Sequence, residues 1–206
     1  MTRRTLTALV IASMAVLPNM TTAQAFPIAP FGTEGLNILV GGTSPVIATY
    51  LGNSATFSND LYLMLDGAGN PGDDGNLAND MFIFNNHASS LFSTVNLGSF
   101  ALGTELIFRL HVLPTGDQFL TGQASRNADG KAHARAQTNW MPNETLVSFE
   151  DLYGTPEYPG GYNDLSFSFT NTRAPVTAVP EPASMALMGF GLSAIGLGAI
   201  RRRRKA

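Results

Sequence analysis

The chain has no cysteine and few charged residues. The missing thiols exclude a disulfide-stapled scaffold, a thiol nucleophile, a Cys-ligated zinc site and an iron–sulfur cluster. Basic residues are especially scarce in the middle of the chain: residues 26–180 hold five, against 14 acidic ones, a balance of −9. Nucleic acid is therefore excluded as a partner, because its recognition needs clustered Lys and Arg. An apolar fraction of 44% argues for a folded core rather than intrinsic disorder.

The first 25 residues have the composition of a secretory signal peptide. Arg3-Arg4 supplies a positive start, an apolar stretch follows over residues 6–17, and Ala23-Gln24-Ala25 offers a small-x-small cleavage pattern. The apolar stretch is too short to span a bilayer. We therefore predict export, with cleavage after Ala25 that leaves Phe26 as the first residue of the mature chain.

The C-terminus reads as a membrane segment with a basic stop. Residues 183–200 carry no charge, and a helix of that length spans about 27 Å, close to the thickness of the hydrocarbon core. The five residues that follow are all cationic: Arg201, Arg202, Arg203, Arg204 and Lys205. Because such a cluster stays in the cytoplasm, we predict a transmembrane helix over 183–200 in the inner membrane, with the preceding chain in the periplasm.

The segment just before this helix is extended and lacks hydrogen-bond donors. Two prolines flank a glutamate in Val179-Pro180-Glu181-Pro182, so the backbone suits a protease that binds an extended peptide. This order of motif, Gly-rich apolar helix and basic tail resembles the PEP-CTERM sorting signal, found on exported proteins of Gram-negative bacteria that make exopolysaccharide. The resemblance implies an exosortase, a membrane-embedded transpeptidase, that recognises Pro180, Glu181 and Pro182 and releases or transfers the ectodomain.

Between these termini the sequence alternates with a period of two. Residues 104–113, 131–138 and 165–170 place apolar side chains on one face and polar ones on the other, as half-buried strands do, although the alanines of 131–138 also permit a helix. Shorter candidate strands span 36–40, 46–51, 61–65, 81–84 and 145–149. We predict a mainly β fold, a single antiparallel β-sandwich or jelly-roll domain over 26–171, followed by a linker at 172–179 and the sorting signal at 180–206.

One local pattern, Asn-Asp-apolar-x-apolar, occurs three times. It begins at Asn59, Asn79 and Asn163, each time at the expected start of a strand. One interpretation is turn chemistry, because Asn and Asp bond to nearby backbone. The other is that these carboxylates converge at one end of the sandwich and hold Ca²⁺, which takes six to eight oxygen ligands. The acidic loop over residues 66–76 lacks the glutamate of an EF-hand, so we expect a solvated loop there, with weak Ca²⁺ capture as the alternative.

The third repeat belongs to a longer signature. Phe149-Glu150-Asp151-Leu152, a Pro- and Gly-rich turn and Tyr162-Asn163-Asp164-Leu165 resemble a bacterial extracellular domain of unknown function that often precedes PEP-CTERM tails. The resemblance implies a β-rich module with Glu150, Asp151 and Asp164 as candidate cation ligands, and Asn163 adds an amide oxygen. Ca²⁺ is the one cofactor that the sequence suggests.

No arrangement of residues predicts catalysis. His87, His111 and His133 lack metal-ligand spacing, we expect His111 and His133 to be exposed, and there is no nucleophile elbow. We therefore expect a non-enzymatic surface or matrix protein associated with exopolysaccharide. A polysaccharide hydrolase and a permanently tail-anchored envelope protein are the alternatives. The aromatic side chains placed to stack on sugar are those of Trp140, Tyr153, Tyr158 and Tyr162, although Trp140 suits a core position equally well.

Overall fold

The apolar alternation in the middle of the chain forms antiparallel strands in a computed structural model that describes residues 26–154 and 161–174. Five strands form one sheet in the order β5 (Thr94–Gly98), β2 (Val46–Gly52), β11 (Leu165–Thr170), β10 (Glu144–Phe149) and β9 (Ala134–Met141). Four form a second, in the order β4 (Met81–Asn85), β3 (Asn59–Leu63), β7 (Phe108–Val112) and β8 (Gln118–Leu120). A small third sheet has the order β12 (Thr172–Arg173), β1 (Ile38–Val40) and β6 (Glu105–Leu106).

One hydrophobic core joins the sheets. The buried side chains of the five-stranded sheet meet those of the four-stranded sheet, and stacked phenyl rings mark the contact. Phe84 of β4 lies 5.7 Å from Phe167 of β11, and Phe108 of β7 lies 4.0 Å from Phe169, between ring centroids. Packing across two antiparallel sheets is the arrangement of a β-sandwich, so the predicted fold class is confirmed.

The strands follow the predicted alternation with local differences. Leu106, Phe108, Leu110 and Val112 are all fully buried, and β11 spans the predicted residues. The sequence pattern missed three strands, β5, β8 and β12, because each is short or half exposed and has little apolar alternation. The pairing of β12 with β1 continues the folded ladder to Arg173, beyond residue 171.

Two polar side chains expected on an outer face are buried instead. Arg109 is only 3% exposed because its guanidinium pairs with Asp80 at 2.8 Å and stacks over the Tyr62 ring at 4.3 Å. The expectation that His133 is exposed is wrong, because β9 begins only at Ala134 and the imidazole of His133 stacks on Phe119 in the interior. In both cases polar partners make burial acceptable: Asp80 for Arg109, and Asp129 and the Glu150 carbonyl for His133.

Candidate functional site

The end of the β10–β11 hairpin brings three carboxylates together. Glu150 and Asp151 directly follow β10, and Asp164 directly precedes β11. Because Phe149 pairs with Leu165 in the ladder, the residues just beyond that pair must lie side by side. The Asp164 N–H donates to the Phe149 carbonyl at 3.1 Å and extends this alignment by one bond.

The three carboxylates form a compact, buried cluster. One oxygen from each of Glu150, Asp151 and Asp164 lies within 4.8 Å of the others, and the residues are 1%, 4% and 6% exposed. Backbone donors hold the side chains in place. Glu150 accepts from the N–H of Leu152 at 3.2 Å and of Tyr162 at 3.1 Å, and Asp164 accepts from the N–H of Asp151 at 2.9 Å.

Tyr162 supplies its N–H to this cluster from an unusual backbone conformation. Its φ of 64° lies in the left-handed region, which costs a non-glycine residue about 1–2 kcal/mol. The Tyr162 hydroxyl donates to the Ala132 carbonyl at 2.6 Å, and the guanidinium of Arg135 stacks 4.3 Å from its ring centre. These contacts hold the strained residue where its N–H reaches Glu150.

The electrostatics of the cluster favour a proton or a cation among the carboxylates. Burial raises the pKa of Asp164 to about 8, and the neighbouring charges of Asp151 and Glu150 add to the rise, although the Asp151 N–H bond opposes it. Either Asp164 keeps its proton and shares it with Asp151, or a cation neutralises the group. Two carboxylates in direct contact cannot both ionise without such compensation.

Two amide groups next to the cluster carry unsatisfied oxygens. Asn59 is fully buried, and its Nδ2 donates to Asp151 Oδ2 at 2.7 Å, while its Oδ1 has no hydrogen-bond partner among the described residues. The Oδ1 of Asn163 is buried and similarly unpartnered within residues 26–154 and 161–174. Buried acceptors without donors are rare, and each calls for an explanation such as an ion or a water.

A small cleft gives access to the cluster. It has a volume of about 260 Å³ and is lined by Ser54, Thr56, Phe57, Asp151, Leu152 and Asp164. The side chain of Asn163 reaches its rim, because its Nδ2 donates to the Ser54 hydroxyl at 2.6 Å. An ion could therefore enter from solvent and meet the carboxylates of Asp151 and Asp164 first.

The aspartates of the other two repeats do not join this site, although Asn59 of the first repeat bonds to Asp151. Asp60 accepts from Asn85 at 2.8 Å and from the Tyr62 hydroxyl at 3.3 Å, and Asp80 pairs with Arg109. In the acidic loop the carboxylates accept from their own backbone: Asp66 Oδ1 from Asn70 N at 2.8 Å and Asp73 Oδ1 from Gly75 N at 2.9 Å. Bonds to residues distant in sequence therefore hold Asp60 and Asp80, and turn chemistry holds the carboxylates of the acidic loop. Of the three repeats only the third brings its Asp to the cluster.

Sequence reasoning missed a second buried polar pair beside the hairpin. His133 Nε2 lies 2.8 Å from Asp129 Oδ2, and His133 Nδ1 lies 3.0 Å from the Glu150 carbonyl. Asp129 also accepts from the N–H of Gly154 at 2.8 Å, which fastens the segment after Glu150. Although burial opposes the change, the hydrogen bond from His133 lowers the pKa of Asp129. The Asp129–His133 pair is local, with its members four residues apart, but its burial depends on Phe119 and on the Glu150 carbonyl, which are distant in sequence.

The comparison with protein families concerns the C-terminus. Residues 178–205 match the family model of the PEP-CTERM protein-sorting motif. This chain carries the PEP-CTERM protein-sorting motif. The motif implies export, a membrane-anchored sorting signal and processing by an exosortase-type enzyme.

The match covers the sorting signal and leaves the PEP-CTERM protein's folded domain unassigned. Neither the curated proteins nor the solved structures include a match. The resemblance of residues 149–165 to an extracellular module therefore stays a prediction. The aromatic side chains predicted to stack on sugar differ in their exposure. Tyr153 is exposed, Tyr162 is buried, and Trp140 packs against the small cluster of Ala29, Leu51 and Leu146.

The predicted terminal features lie outside the described residues. These are the cleavage site at Ala23 and Ala25, the motif at Pro180, Glu181 and Pro182, the helix over 183–200 and the basic cluster at 201–205, as well as Tyr158. Within 26–154 and 161–174, no helix is long and apolar enough to cross a membrane.

Proposed function

We propose that this PEP-CTERM protein is a non-enzymatic component of the cell surface or extracellular matrix, associated with exopolysaccharide and stabilised by Ca²⁺. The observation that carries the proposal is the sorting motif at residues 178–205, which follows a strand-rich domain. The protein is held in the inner membrane, facing the periplasm, until the exosortase-type enzyme cuts near Pro180-Glu181-Pro182. The mature domain then passes to the surface or the matrix.

The calcium part of the proposal rests on the carboxylate cluster. Glu150, Asp151 and Asp164 supply hard oxygen ligands, and the unpartnered Oδ1 atoms of Asn59 and Asn163 lie on residues bonded to the cluster or next to it in the chain. Ca²⁺ prefers this donor set of carboxylate and amide oxygens and tolerates irregular geometry. The absence of Cys and the single buried His nearby disfavour zinc, which takes sulfur and nitrogen ligands.

A hydrolase is the second candidate, and one observation favours it. Asp164 has a raised pKa, lies beside other carboxylates and lines a cleft, which is a frequent signature of a general acid. The carboxylates of glycosidases, however, flank the substrate at about 5 Å or more. Here one oxygen from each of Glu150, Asp151 and Asp164 lies within 4.8 Å of the others, which is closer than that separation. The cation-binding function accounts better for this geometry.

Processing in the host tests the proposal. In the full-length protein, replacing Glu181 by Ala removes the one acidic side chain of the motif and leaves the apolar helix intact. We expect the parent protein to lose residues 183–206 and to fractionate with the matrix. The E181A variant should keep these residues and remain in the inner membrane.

The measurement is mass spectrometry of both chain ends in each cell fraction, with Thr177→Ala as the matched control in the preceding linker. A parent protein that keeps its C-terminus in a host with an exosortase would support a permanent tail anchor instead. Degradation of the exopolysaccharide by the purified protein, lost on replacement of Asp164, would establish the hydrolase.

A further inference from the structure

A second cleft lies at the end of β2. It is lined by the start of the domain, by residues 50–53 and by the segment between β4 and β5. Its volume of about 350 Å³ falls in the range of small-molecule sites. Phe26, Leu91 and Phe92 supply an apolar wall, and Tyr50, Asn53 and Asn86 supply polar groups. None of the side chains lining the cleft carries a charge at neutral pH.

Phe92 occupies a position that neither turn chemistry nor core packing explains. The bond from Ser93 N to Ser90 O closes a four-residue turn, and Phe92 stands at its third position with φ 63°. Gly or Asn is the usual residue there, because a side chain in this conformation costs about 1–2 kcal/mol. The ring is nevertheless 59% exposed, so little burial offsets that cost.

Phe92 differs from the other non-glycine residues that have a left-handed backbone in the described part of the chain. Asn139, Asn143 and Asn171 are the residue type that tolerates the conformation, and Tyr162 is buried and hydrogen-bonded. Phe92 alone among them presents an exposed apolar ring. The Phe92 N–H donates to the Tyr50 carbonyl at 2.8 Å, which fixes the backbone of the turn but does not bury the ring. Strained residues with exposed side chains are typical of functional sites.

The polar groups opposite the ring are held in fixed orientations. The Tyr50 hydroxyl donates to the Asn86 carbonyl at 2.8 Å, and Asn53 Nδ2 donates to the same carbonyl at 2.9 Å. Burial raises the pKa of Tyr50, so its phenol stays neutral. The side-chain amide of Asn86 is bonded to Asn59 N and to the Phe57 carbonyl. The groups left to meet the hydroxyls of a sugar are therefore the Asn53 amide oxygen and the Tyr50 hydroxyl oxygen, which accept hydrogen bonds.

We propose that this cleft binds a neutral pyranose unit of an extracellular polysaccharide, with the sugar's C–H face on the ring of Phe92 and its hydroxyls toward Asn53 and Tyr50. Weakly positive C–H groups pack well on the negative face of an aromatic ring. The balance of −9 over residues 26–180 disfavours an acidic polymer by like-charge repulsion. This inference rests on the proposed function and names its ligand and its site.

The test replaces Phe92 by Gly, which removes the ring and also relieves the backbone strain. The protein as the host exports it, extracted in non-ionic detergent, is titrated with exopolysaccharide purified from the same host and separated into neutral and acidic fractions. We expect the parent to bind the neutral fraction and F92G to bind it at least tenfold more weakly. The Tm of F92G should equal or exceed that of the parent, so weaker binding is not a result of unfolding.

Phe31→Ala is the matched control, because the ring of Phe31 is 88% exposed and does not line the cleft. This variant should bind like the parent. Undiminished binding by F92G, or binding of the acidic fraction alone, overturns the cleft assignment and leaves the matrix function standing. A parent protein that binds neither fraction overturns both.

Discussion

Replacing Asp164 by Asn tests the carboxylate cluster by imitating its protonated form. The amide oxygen of Asn can still accept from the Asp151 N–H, which now bonds to Asp164 Oδ2 at 2.9 Å, and the new NH₂ can donate to the Asp151 carboxylate. At pH 8, which is close to the pKa of Asp164, the substitution removes about half a unit of negative charge from the cluster and preserves its shape. We expect a domain that is more stable without Ca²⁺ and insensitive to Ca²⁺.

The sign of the pH effect follows from the raised pKa. Between pH 5 and the folded pKa of about 8, native Asp164 holds a proton that the unfolded chain has already lost. Stability therefore declines as the pH rises through this window. The full slope for one proton is about 1.4 kcal/mol per pH unit, and we take about 1 kcal/mol because water in the adjoining cleft screens part of the repulsion.

These values set the expected melting temperatures. From pH 5 to 8 in EDTA the parent should lose about 3 kcal/mol more than D164N, or roughly 6–12 °C in Tm. Ca²⁺ at 100 times its Kd adds about 2.7 kcal/mol by mass action. For an extracellular site with a Kd of about 0.1 mM, that corresponds to about 10 mM CaCl₂. The gain should be larger at pH 8 than at pH 5, because fewer of the Asp164 carboxyls hold a competing proton at pH 8.

The assay is thermal melting of residues 26–180 at pH 5 and 8, in EDTA and in 10 mM CaCl₂. Asp73→Asn is the control: it makes the same charge change in the exposed acidic loop, where the new amide can still accept from Gly75 N. It should melt like the parent throughout, and a lost Ca²⁺ response in this variant would place the ion in the loop. Equal melting of parent and D164N at pH 8 would refute the electrostatic reasoning. If the Tm values of the parent and D164N differ in EDTA but Ca²⁺ does not raise the Tm of the parent, the carboxylates share a proton and bind no cation.

Two further predictions concern stability. Replacing Asp80 by Ala leaves the charge of Arg109, which is 3% exposed, without its partner. The free energy of unfolding, measured by urea titration, should fall by about 3–5 kcal/mol. A loss below about 1 kcal/mol would mean that water reaches the guanidinium. Replacing Gly52 by Ala should lower the free energy of unfolding by about 2–3 kcal/mol, because φ is +134° and the added Cβ would meet Phe26 Cβ at 2.8 Å. The control is Gly69→Ala, where φ is +82° and the surrounding space is open, and it should cost only about 1 kcal/mol. Equal losses of stability in the two variants would rule out the contact with Phe26.

The residues of the cluster could be predicted in part because two of their relations are local. Glu150 and Asp151 end one strand and Asp164 begins the next, so a hairpin brings them together whatever the rest of the fold does. Asn59 was not predicted as a neighbour, because it lies 92 residues from Asp151 and reaches it only when the two sheets pack. The same local pattern begins at Asn79, yet its aspartate, Asp80, forms an ion pair with Arg109 and does not join the cluster.

The sequence by itself determined what depends on neighbouring residues: the alternation that makes strands, and a C-terminal motif that a processing enzyme reads as an extended peptide. Only the tertiary structure decided which polar groups are buried and with whom. Arg109 and His133 follow the same alternation as exposed residues, yet Arg109 pairs with the buried carboxylate of Asp80, and His133 stacks on Phe119 and bonds to the Glu150 carbonyl. Phe92 shows the reverse, a ring that composition assigns to the core and a left-handed turn leaves in solvent. The physical reason is that burial and pairing are set by contacts between distant segments, which a pattern of period two does not encode.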